Sequence, residues 1–175
     1  MVLSEVGIGM SNIILIGFMG SGKSTVARSL AFKLDKKVID MDYEIEREEG
    51  RSIPDIFKED GEAYFRDLET GYLERMKGKK NKVLATGGGV ILREENIKLL
   101  NHIGTVVFLQ ADVSHIYNNV KDSKGRPLLD VEDVLGEIQV RLEAREPYYL
   151  RSANVIIQTS GKTVDAISNE IIAIL

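Results

Sequence analysis

A short apolar run leads directly into a glycine-rich segment, and this junction limits the fold more than any other feature. Residues 13–16 read Ile-Ile-Leu-Ile, and residues 17–25 read Gly-Phe-Met-Gly-Ser-Gly-Lys-Ser-Thr. That order matches the P-loop pattern, in which a strand ends in a glycine-rich loop and a helix follows. The alternative is a glycine-rich turn with an ordinary surface lysine. The strand before the loop and the helical pattern after it favour a nucleotide-phosphate site.

Each part of this loop has a distinct chemical task. Glycines let successive backbone N–H groups point inward at phosphate oxygens, and the following helix adds its positive N-terminal end. The pattern places the Lys23 ammonium at the β- and γ-phosphates and the Ser24 hydroxyl on Mg²⁺. The residues predicted to bind ATP here are Gly20, Ser21, Gly22, Lys23, Ser24 and Thr25.

Apolar runs alternate with longer amphipathic segments along the whole chain. The other runs lie at residues 38–39, 83–85, 106–109 and 155–157, and the helical patterns at 23–34, 61–76, 93–101, 114–120, 131–146 and from 163 onward. The runs are continuous, as expected for strands covered on both faces. The alternation predicts an α/β fold, a parallel sheet between helices, with its ligands at the carboxyl ends of the strands.

Composition excludes several classes of protein. The 175 residues correspond to a single domain, and the net charge of −4 argues against a general nucleic-acid binder. The absence of cysteine excludes disulfides and thiolate chemistry. No apolar run is long enough for a membrane span, and the N-terminus lacks a signal-peptide pattern, so we expect a cytoplasmic protein. We expect residues 1–10 to be a flexible extension, with Met10 as an alternative start, and 11–175 to be the domain.

Two aspartates follow the second apolar run. Asp40 and Asp42 are spaced by two, so on an extended segment both carboxylates would face the ligand edge. Phosphoryl transfer needs one acid to hold Mg²⁺ and a second group to orient the attacking hydroxyl or accept its proton. The alternative is that one of them caps a helix beginning near Tyr43. The pair beside a P-loop favours function.

Two arginines have open interpretations. Arg66 abuts an apolar stripe that includes Phe65, and Glu69 lies three residues on, so Arg66 either binds an anion in two hydrogen bonds or forms a surface ion pair. The pattern alone favours the surface pair. Arg145 closes a helical pattern and is either a second arm for an anionic substrate or a partner of the helix dipole.

Two loops complete the candidate set. Gly87, Gly88 and Gly89 follow the third apolar run, where they either leave bare backbone beside a ligand or form a turn that needs positive φ. Residues 121–130 are polar and contain Gly125 and Pro127. They form either a solvated linker or a lid that closes over ATP and brings Arg126 to the developing phosphate charge.

Taken in order, these motifs resemble the shikimate kinase family over nearly the whole chain from residue 11. The P-loop alone indicates only a nucleotide-binding protein, but the later motifs are more specific. The runs that carry the resemblance are residues 17–25, Asp40-x-Asp42, Ser52-Ile53-x-x-Ile56-Phe57, Phe65-Arg66-x-x-Glu69, Gly87-Gly88-Gly89, Arg126-Pro127-Leu128-Leu129 and Arg145-x-Pro147-x-Tyr149.

The resemblance implies a fold, a reaction and a set of roles. It implies a three-layer P-loop fold with five parallel strands in the order 2-3-1-4-5. It also implies transfer of the ATP γ-phosphate to the 3-hydroxyl of shikimate, giving shikimate 3-phosphate and ADP, a step toward chorismate and aromatic amino acids. On the nucleotide side, the implied roles are Mg²⁺ binding by Ser24 and Asp40 and phosphate contact by Arg126. On the substrate side, Asp42 would bind the substrate and act as base, Arg66 and Arg145 would bind its carboxylate, and Glu69 would brace Arg66. Gly87, Gly88 and Gly89 would line the substrate, and Phe57 and Phe65 would form the pocket walls.

Two other functions are compatible with a P-loop in this kind of fold. Another small-molecule kinase of the same architecture, such as a gluconate kinase, would not need two arginines and a triple glycine. A nucleotide switch that reads GTP would need an Asn-Lys-x-Asp motif, which the sequence lacks. We therefore expect an enzyme with small-molecule partners, without nucleic-acid or membrane partners, and a monomer.

Overall fold

The computed structural model describes residues 11–121 and 132–175, and within them strands and helices alternate. The strands are β1 Asn12–Ile16, β2 Lys37–Asp40, β3 Lys82–Ala85, β4 Gly104–Gln110 and β5 Val155–Gln158. The helices are α1 Lys23–Lys33, α2 Met41–Glu49, α3 Ile53–Glu59, α4 Gly61–Met76, α5 Glu94–Ile103, α6 Val113–Val120, α7 Val134–Ser152 and α8 Val164–Ile174. A 3₁₀ turn covers Val90–Leu92.

The five strands form one parallel sheet in the order β2-β3-β1-β4-β5. Ile14 of β1 is paired with Leu84 of β3 on one side and with Val106 of β4 on the other. The strand order expected from the family resemblance is confirmed. Because all five strands run the same way, their carboxyl ends meet at one edge, and the P-loop follows the central strand there.

The sheet separates two apolar layers, and alternate residues of β1 supply both. Ile14 and Ile16 pack with residues of α2 to α7, whereas Ile13 and Leu15 pack with α1 and α8. This is the three-layer arrangement that alternating strands and helices produce. It leaves the helices on the α2–α7 side to lean over the ligand edge.

The outer strands differ from the prediction that every run is covered on both faces. Val38 of β2 is 45% exposed and Ile156 of β5 is 48% exposed. These strands lie at the two edges of the sheet, where neighbouring helices cover less of each face. The continuous-run signal therefore identified the strands but overstated the burial of the edges.

Three helices differ from the sequence-based helical patterns. Helix α2 begins directly after Asp40, where an extended segment was expected. Helix α3 follows it, with Ser52 as its N-cap and Pro54 in its first turn. Helix α7 continues through Pro147 to Ser152, although a proline inside a helix costs roughly 3 kcal/mol. Tyr149 is fully buried beyond that proline, so packing of the last turns opposes the cost.

Among the described residues, no helix is both long and apolar enough to cross a membrane. The expected extension, residues 1–10, and nearly all of the expected lid, residues 121–130, lie outside the described residues.

Candidate active site

The P-loop connects β1 to α1, and two of its glycines have a left-handed backbone conformation. Gly20 and Gly22 have φ angles of 77° and 92°, a region that favours glycine. At Gly20 a Cβ would also lie 2.6 Å from a methyl group of Val120 on α6. Asn119 on that helix donates a hydrogen bond to the Gly20 carbonyl at 2.8 Å. Conformation and close packing together therefore require glycine at position 20.

The first helical residue after the loop, Lys23, points back along it. Its ammonium donates to the carbonyls of Gly17 and Phe18, both at 2.8 Å, and the residue is only 8% exposed. Ser21 is also buried, and its hydroxyl has no hydrogen-bond partner among the described residues. Thr25 is exposed in the first turn of α1. The loop therefore holds a buried cation and an unpaired hydroxyl where the P-loop pattern expects phosphates.

Ser24 and Asp40 meet at the mouth of this loop. The Ser24 hydroxyl, in the first turn of α1, donates to Asp40 Oδ2 at the end of β2, at 2.5 Å. A hydroxyl and a carboxylate are hard oxygen ligands, and Mg²⁺ in phosphate-transfer sites uses one or two such groups together with substrate phosphates. The residues present therefore fit a magnesium ion, with Ser24 and Asp40 as the groups that would hold it.

The two aspartates reach the site in a different way from the sequence prediction. They were expected to lie on one extended segment, but β2 ends at Asp40 and Asp42 lies in the first turn of α2. Asp40, not Asp42, is the N-cap, and it accepts from the Tyr43 N–H at 3.4 Å. Both aspartates still line the same cavity. The helix starts early because Asp40 both ends the strand and caps α2.

Asp42 carries an unsatisfied acceptor. Its Oδ1 is buried and has no hydrogen-bond partner within the described residues. Burial raises the pKa of the Asp42 carboxyl to about 6, against the opposing effect of the Lys23 ammonium. A buried acceptor without a partner is rare in folded proteins and marks a place for a ligand donor. Asp42 is therefore placed to receive a hydroxyl hydrogen.

Arg66 forms a buried ion-pair cluster, not the surface pair that the pattern alone favoured. The residue is 7% exposed, and its guanidinium contacts Glu69 at 2.6 Å and Glu62 at 2.9 Å. The Phe65 ring lies 5.4 Å from the guanidinium carbon. Glu69 is fully buried, and its second oxygen, Oε1, has no partner among the described residues. Glu69 therefore orients Arg66, and burial of the Glu69 carboxylate costs free energy of folding.

That cost predicts a pH dependence of stability. Burial raises the pKa of Glu69 from 4.5 to about 7, although the Arg66 guanidinium lowers it. The folded state therefore binds more protons than the unfolded state between these values, so Glu69 makes the free energy of unfolding fall as pH rises through them. Glu69→Gln removes this titration. The difference between the free energies of unfolding of Glu69→Gln and wild type should therefore increase by about 2 kcal/mol, in favour of the variant, from pH 5 to pH 8.

Urea unfolding of both proteins at the two pH values measures this change. Glu62→Gln is the matched control, because Glu62 also pairs with Arg66 but its side chain is 55% exposed. Parallel pH profiles for wild type and Glu69→Gln would contradict the assignment.

The three glycines after β3 make room for functional groups. A Cβ on Gly87 would lie 2.7 Å from both Asp42 Oδ1 and Glu69 Oε1, and one on Gly89 would lie 2.4 Å from the Arg66 guanidinium. None of the three has a positive φ, so the alternative of a turn that needs one is wrong. Space, and not backbone conformation, therefore requires glycine here.

Gly88 has a separate neighbour, the P-loop backbone. A Cβ on Gly88 would lie 3.2 Å from the Met19 nitrogen and 3.5 Å from the Gly17 carbonyl oxygen. The glycine turn and the P-loop therefore touch through their main chains.

Arg145 lies inside α7, seven residues before its end, so pairing with the helix dipole does not explain it. The residue is 7% exposed, and its guanidinium carbon lies 5.5 Å from the centre of the Phe18 ring in the P-loop. No described acidic side chain lies within 4.0 Å of it. Burying a cation without an anion is unfavourable, so Arg145 is placed for an anionic partner.

A cavity of about 430 Å³ lies beside the P-loop and the two aspartates. Its lining includes the P-loop, Asp40, Asp42, Phe57 and Gly88. Phe65 packs behind Phe57, with ring centres 5.1 Å apart. Arg66, Glu69, Gly87, Gly89 and Arg145 do not line the cavity directly. Gly87 adjoins Asp42, Arg66 adjoins Gly89, and Arg145 adjoins Phe18.

Several lining residues were missed by sequence reasoning. Met19, Glu46, Ile53, Pro54 and Thr86 contribute to the cavity wall. Met19 and Ile53 belong to runs that carry the family resemblance, but no pattern signalled a wall position for Glu46, Pro54 and Thr86. Arg126 lies outside the described residues, so its expected phosphate contact stays a prediction.

Comparison with known proteins gives a consistent family. Residues 19–175 match the family model described as shikimate kinase. A shikimate kinase of Persephonella marina is 45% identical over 163 residues, which cover 93% of this chain and 98% of that protein. The solved structure of shikimate kinase from Acinetobacter baumannii in complex with shikimate is 38% identical, covers 94% of this chain and 92% of its own, and superposes with a TM-score of 0.91.

A more distant similarity concerns the fold alone. A gluconokinase structure from Sinorhizobium meliloti 1021 is 18% identical, covers 93% of this chain and 90% of its own, and has a TM-score of 0.54. The fold is thus shared with that gluconokinase structure.

Proposed function

Because this chain belongs to the shikimate kinase family, we propose that it transfers the γ-phosphoryl group of ATP to the 3-hydroxyl of shikimate. The products are shikimate 3-phosphate and ADP, in a step toward chorismate and aromatic amino acids. The observation that carries the proposal is the buried Arg145, which has no acidic partner among the described residues, in contact with the P-loop residue Phe18. An acceptor with both a carboxylate and a hydroxyl matches this arrangement.

On the nucleotide side, the P-loop amides and Lys23 bind the ATP phosphates. Ser24 and Asp40 would hold Mg²⁺, which neutralises phosphate charge when it is bound. Lys23 already has an anchored position, since two loop carbonyls accept its hydrogens. Transfer of those hydrogen bonds to phosphate oxygens is a small displacement of one flexible side chain.

On the acceptor side, the two guanidinium groups bind the shikimate carboxylate, and Glu69 fixes the orientation of Arg66. Phe57 and Phe65 form the wall beside the ring. Asp42 accepts a hydrogen bond from the attacking hydroxyl. As the new oxygen–phosphorus bond forms and the bond to ADP breaks, the hydroxyl proton passes to the Asp42 carboxylate.

A coupled ADP-release assay tests the function directly. We expect ADP release that depends on shikimate and Mg²⁺ and is absent with gluconate. Turnover of gluconate but not of shikimate would overturn the proposal in favour of another kinase of this architecture. A stable nucleotide complex without acceptor-dependent ADP release would instead indicate a nucleotide switch. The protein is proposed to act in the cytoplasm as a monomer, which size-exclusion chromatography with light scattering checks.

The glycine turn gives a sharper prediction for the acceptor side. Gly89→Ala places a methyl group where the Arg66 guanidinium lies, and the two glutamates that hold Arg66 oppose its movement. We expect the KM for shikimate to rise by about 10-fold or more, as for an overpacking cost of 1–3 kcal/mol. The KM for ATP should change much less, because Arg66 does not contact the P-loop in any described hydrogen bond or ion pair.

Gly71→Ala in α4 is the matched control. A Cβ at Gly71 would meet only the Arg75 side chain, at 3.6 Å, an ordinary contact. Steady-state measurement of the KM for shikimate and the KM for ATP in both variants tests the prediction. An equal rise in both KM values for Gly89→Ala would mean that the turn supports the whole site and not Arg66.

A further inference from the structure

We propose that Tyr149 is a positioning residue, whose hydroxyl fixes the glycine turn relative to Arg145. The inference deepens the proposed function, because it concerns how the acceptor side of the same site is held. Tyr149 belongs to the run Arg145-x-Pro147-x-Tyr149, but the family resemblance implies no role for it.

The core fixes the Tyr149 ring. Tyr149 is fully buried, and its ring stacks on Phe108 of β4, with centroids 4.9 Å apart and planes 16° apart. A stacked, buried ring on a helix has little freedom, so the hydroxyl has a defined position.

The hydroxyl reaches across the site to the glycine turn. It donates to the Gly88 carbonyl at 2.5 Å, between residues 61 positions apart in the sequence. Gly88 is also the residue whose main chain packs against Met19 and Gly17. The bond therefore holds the turn at the point where it meets the P-loop.

The same hydroxyl lies near both substrate-side cations. Arg145 precedes Tyr149 by four residues, which places the two side chains on one face of α7. Burial raises the pKa of the Tyr149 phenol, and the Arg145 and Arg66 guanidinium groups oppose that rise, as nearby cations do. Tyr149 therefore lies near both arginines, and its single oxygen links α7 to the glycine turn that follows β3.

Tyr149→Phe tests the proposal, since it keeps the ring, its stacking and its burial and removes only the oxygen. The Gly88 carbonyl then loses its partner. We expect kcat/KM for shikimate to fall by about 10-fold, chiefly through KM, as for one lost buried hydrogen bond of 1–3 kcal/mol. The KM for ATP should change less than twofold.

Two control variants separate positioning from a general loss of stability. Tyr148→Phe removes a neighbouring hydroxyl that forms no described hydrogen bond. Ser152→Ala removes a buried hydroxyl of the same helix, which donates to the Tyr148 carbonyl at 2.6 Å, away from the glycine turn. Both should retain wild-type kinetics for shikimate. An equal kinetic loss in Ser152→Ala would overturn the positioning role.

A second measurement does not depend on the substrate. Amide hydrogen exchange at residues 87–90 should accelerate in Tyr149→Phe and stay unchanged in Tyr148→Phe. Inert wild-type protein would refute the proposed function alone, whereas unchanged exchange in Tyr149→Phe would refute the positioning role alone. Unaltered shikimate kinetics in Tyr149→Phe, with active wild type, would also refute it.

Discussion

Asp42→Asn should lower kcat for shikimate phosphorylation by about 100-fold or more, the range expected when a general base is removed. Asparagine has nearly the same shape as aspartate, so it preserves the close packing against Gly87. It cannot accept the hydroxyl proton, and its amide can present a donor where Asp42 Oδ1 presents an unpaired acceptor. The KM for ATP should stay close to wild type.

Asp40→Asn is the informative comparison for that variant. Asp40 contacts the Ser24 hydroxyl at the proposed magnesium position, so its loss should be partly rescued by raising the Mg²⁺ concentration. The loss in Asp42→Asn should not be rescued in this way. Near-normal turnover of Asp42→Asn would show that the Asp42 carboxylate is not a general base and does no more than orient the substrate.

Arg145→Met should abolish most shikimate binding without lowering stability. Losing one buried, charge-assisted partner of a carboxylate costs about 2–5 kcal/mol, a factor of roughly 30 to several thousand in KM for shikimate. Since no described acidic group pairs with Arg145, its removal leaves no described anion without a partner, and methionine retains an apolar contact with Phe18. The melting temperature should therefore stay unchanged or rise.

Arg66→Met provides the contrast. It should also weaken shikimate binding far more than ATP binding, but it leaves the fully buried Glu69 without its cation. Removing one partner of a buried pair is destabilising by about 3–5 kcal/mol, less whatever protonation of Glu69 recovers. Thermal unfolding and shikimate kinetics on both variants separate the two arginines. Equal loss of stability in both would mean that Arg145 has a structural partner of its own.

The fold was predictable because its signals are local. Each strand was marked by an apolar run, and α4 has the bounds that the periodicity predicted, residues 61–76. Helix α3 was missed because its seven residues include charged ones and form less than two turns of apolar periodicity. The end of α7 was misjudged because Pro147 normally stops a helix, whereas the burial of Tyr149 is a tertiary effect.

The parts of the site that depend on residue type were predictable from the sequence. The parts that depend on burial or on contacts between distant segments were not. The P-loop and the two aspartates could be identified from their order along the chain. The burial of Arg66 and Arg145 could not be decided by spacing, because both surface and buried arginines fit a helical pattern. The bond between Tyr149 and Gly88 has no sequence signal, since it joins two distant segments through one oxygen.

The glycine turn also bears on how the acceptor preference of this scaffold could be altered in the laboratory. Positions 87 and 89 are blocked by functional side chains, and position 88 is tight against the P-loop backbone, so libraries that vary them would mostly yield impaired protein. Ile53, Pro54 and Phe57 face the cavity from a short helix that supplies no part of the P-loop. Diversity introduced on that helix could reshape the wall around the acceptor ring while leaving the phosphate machinery intact.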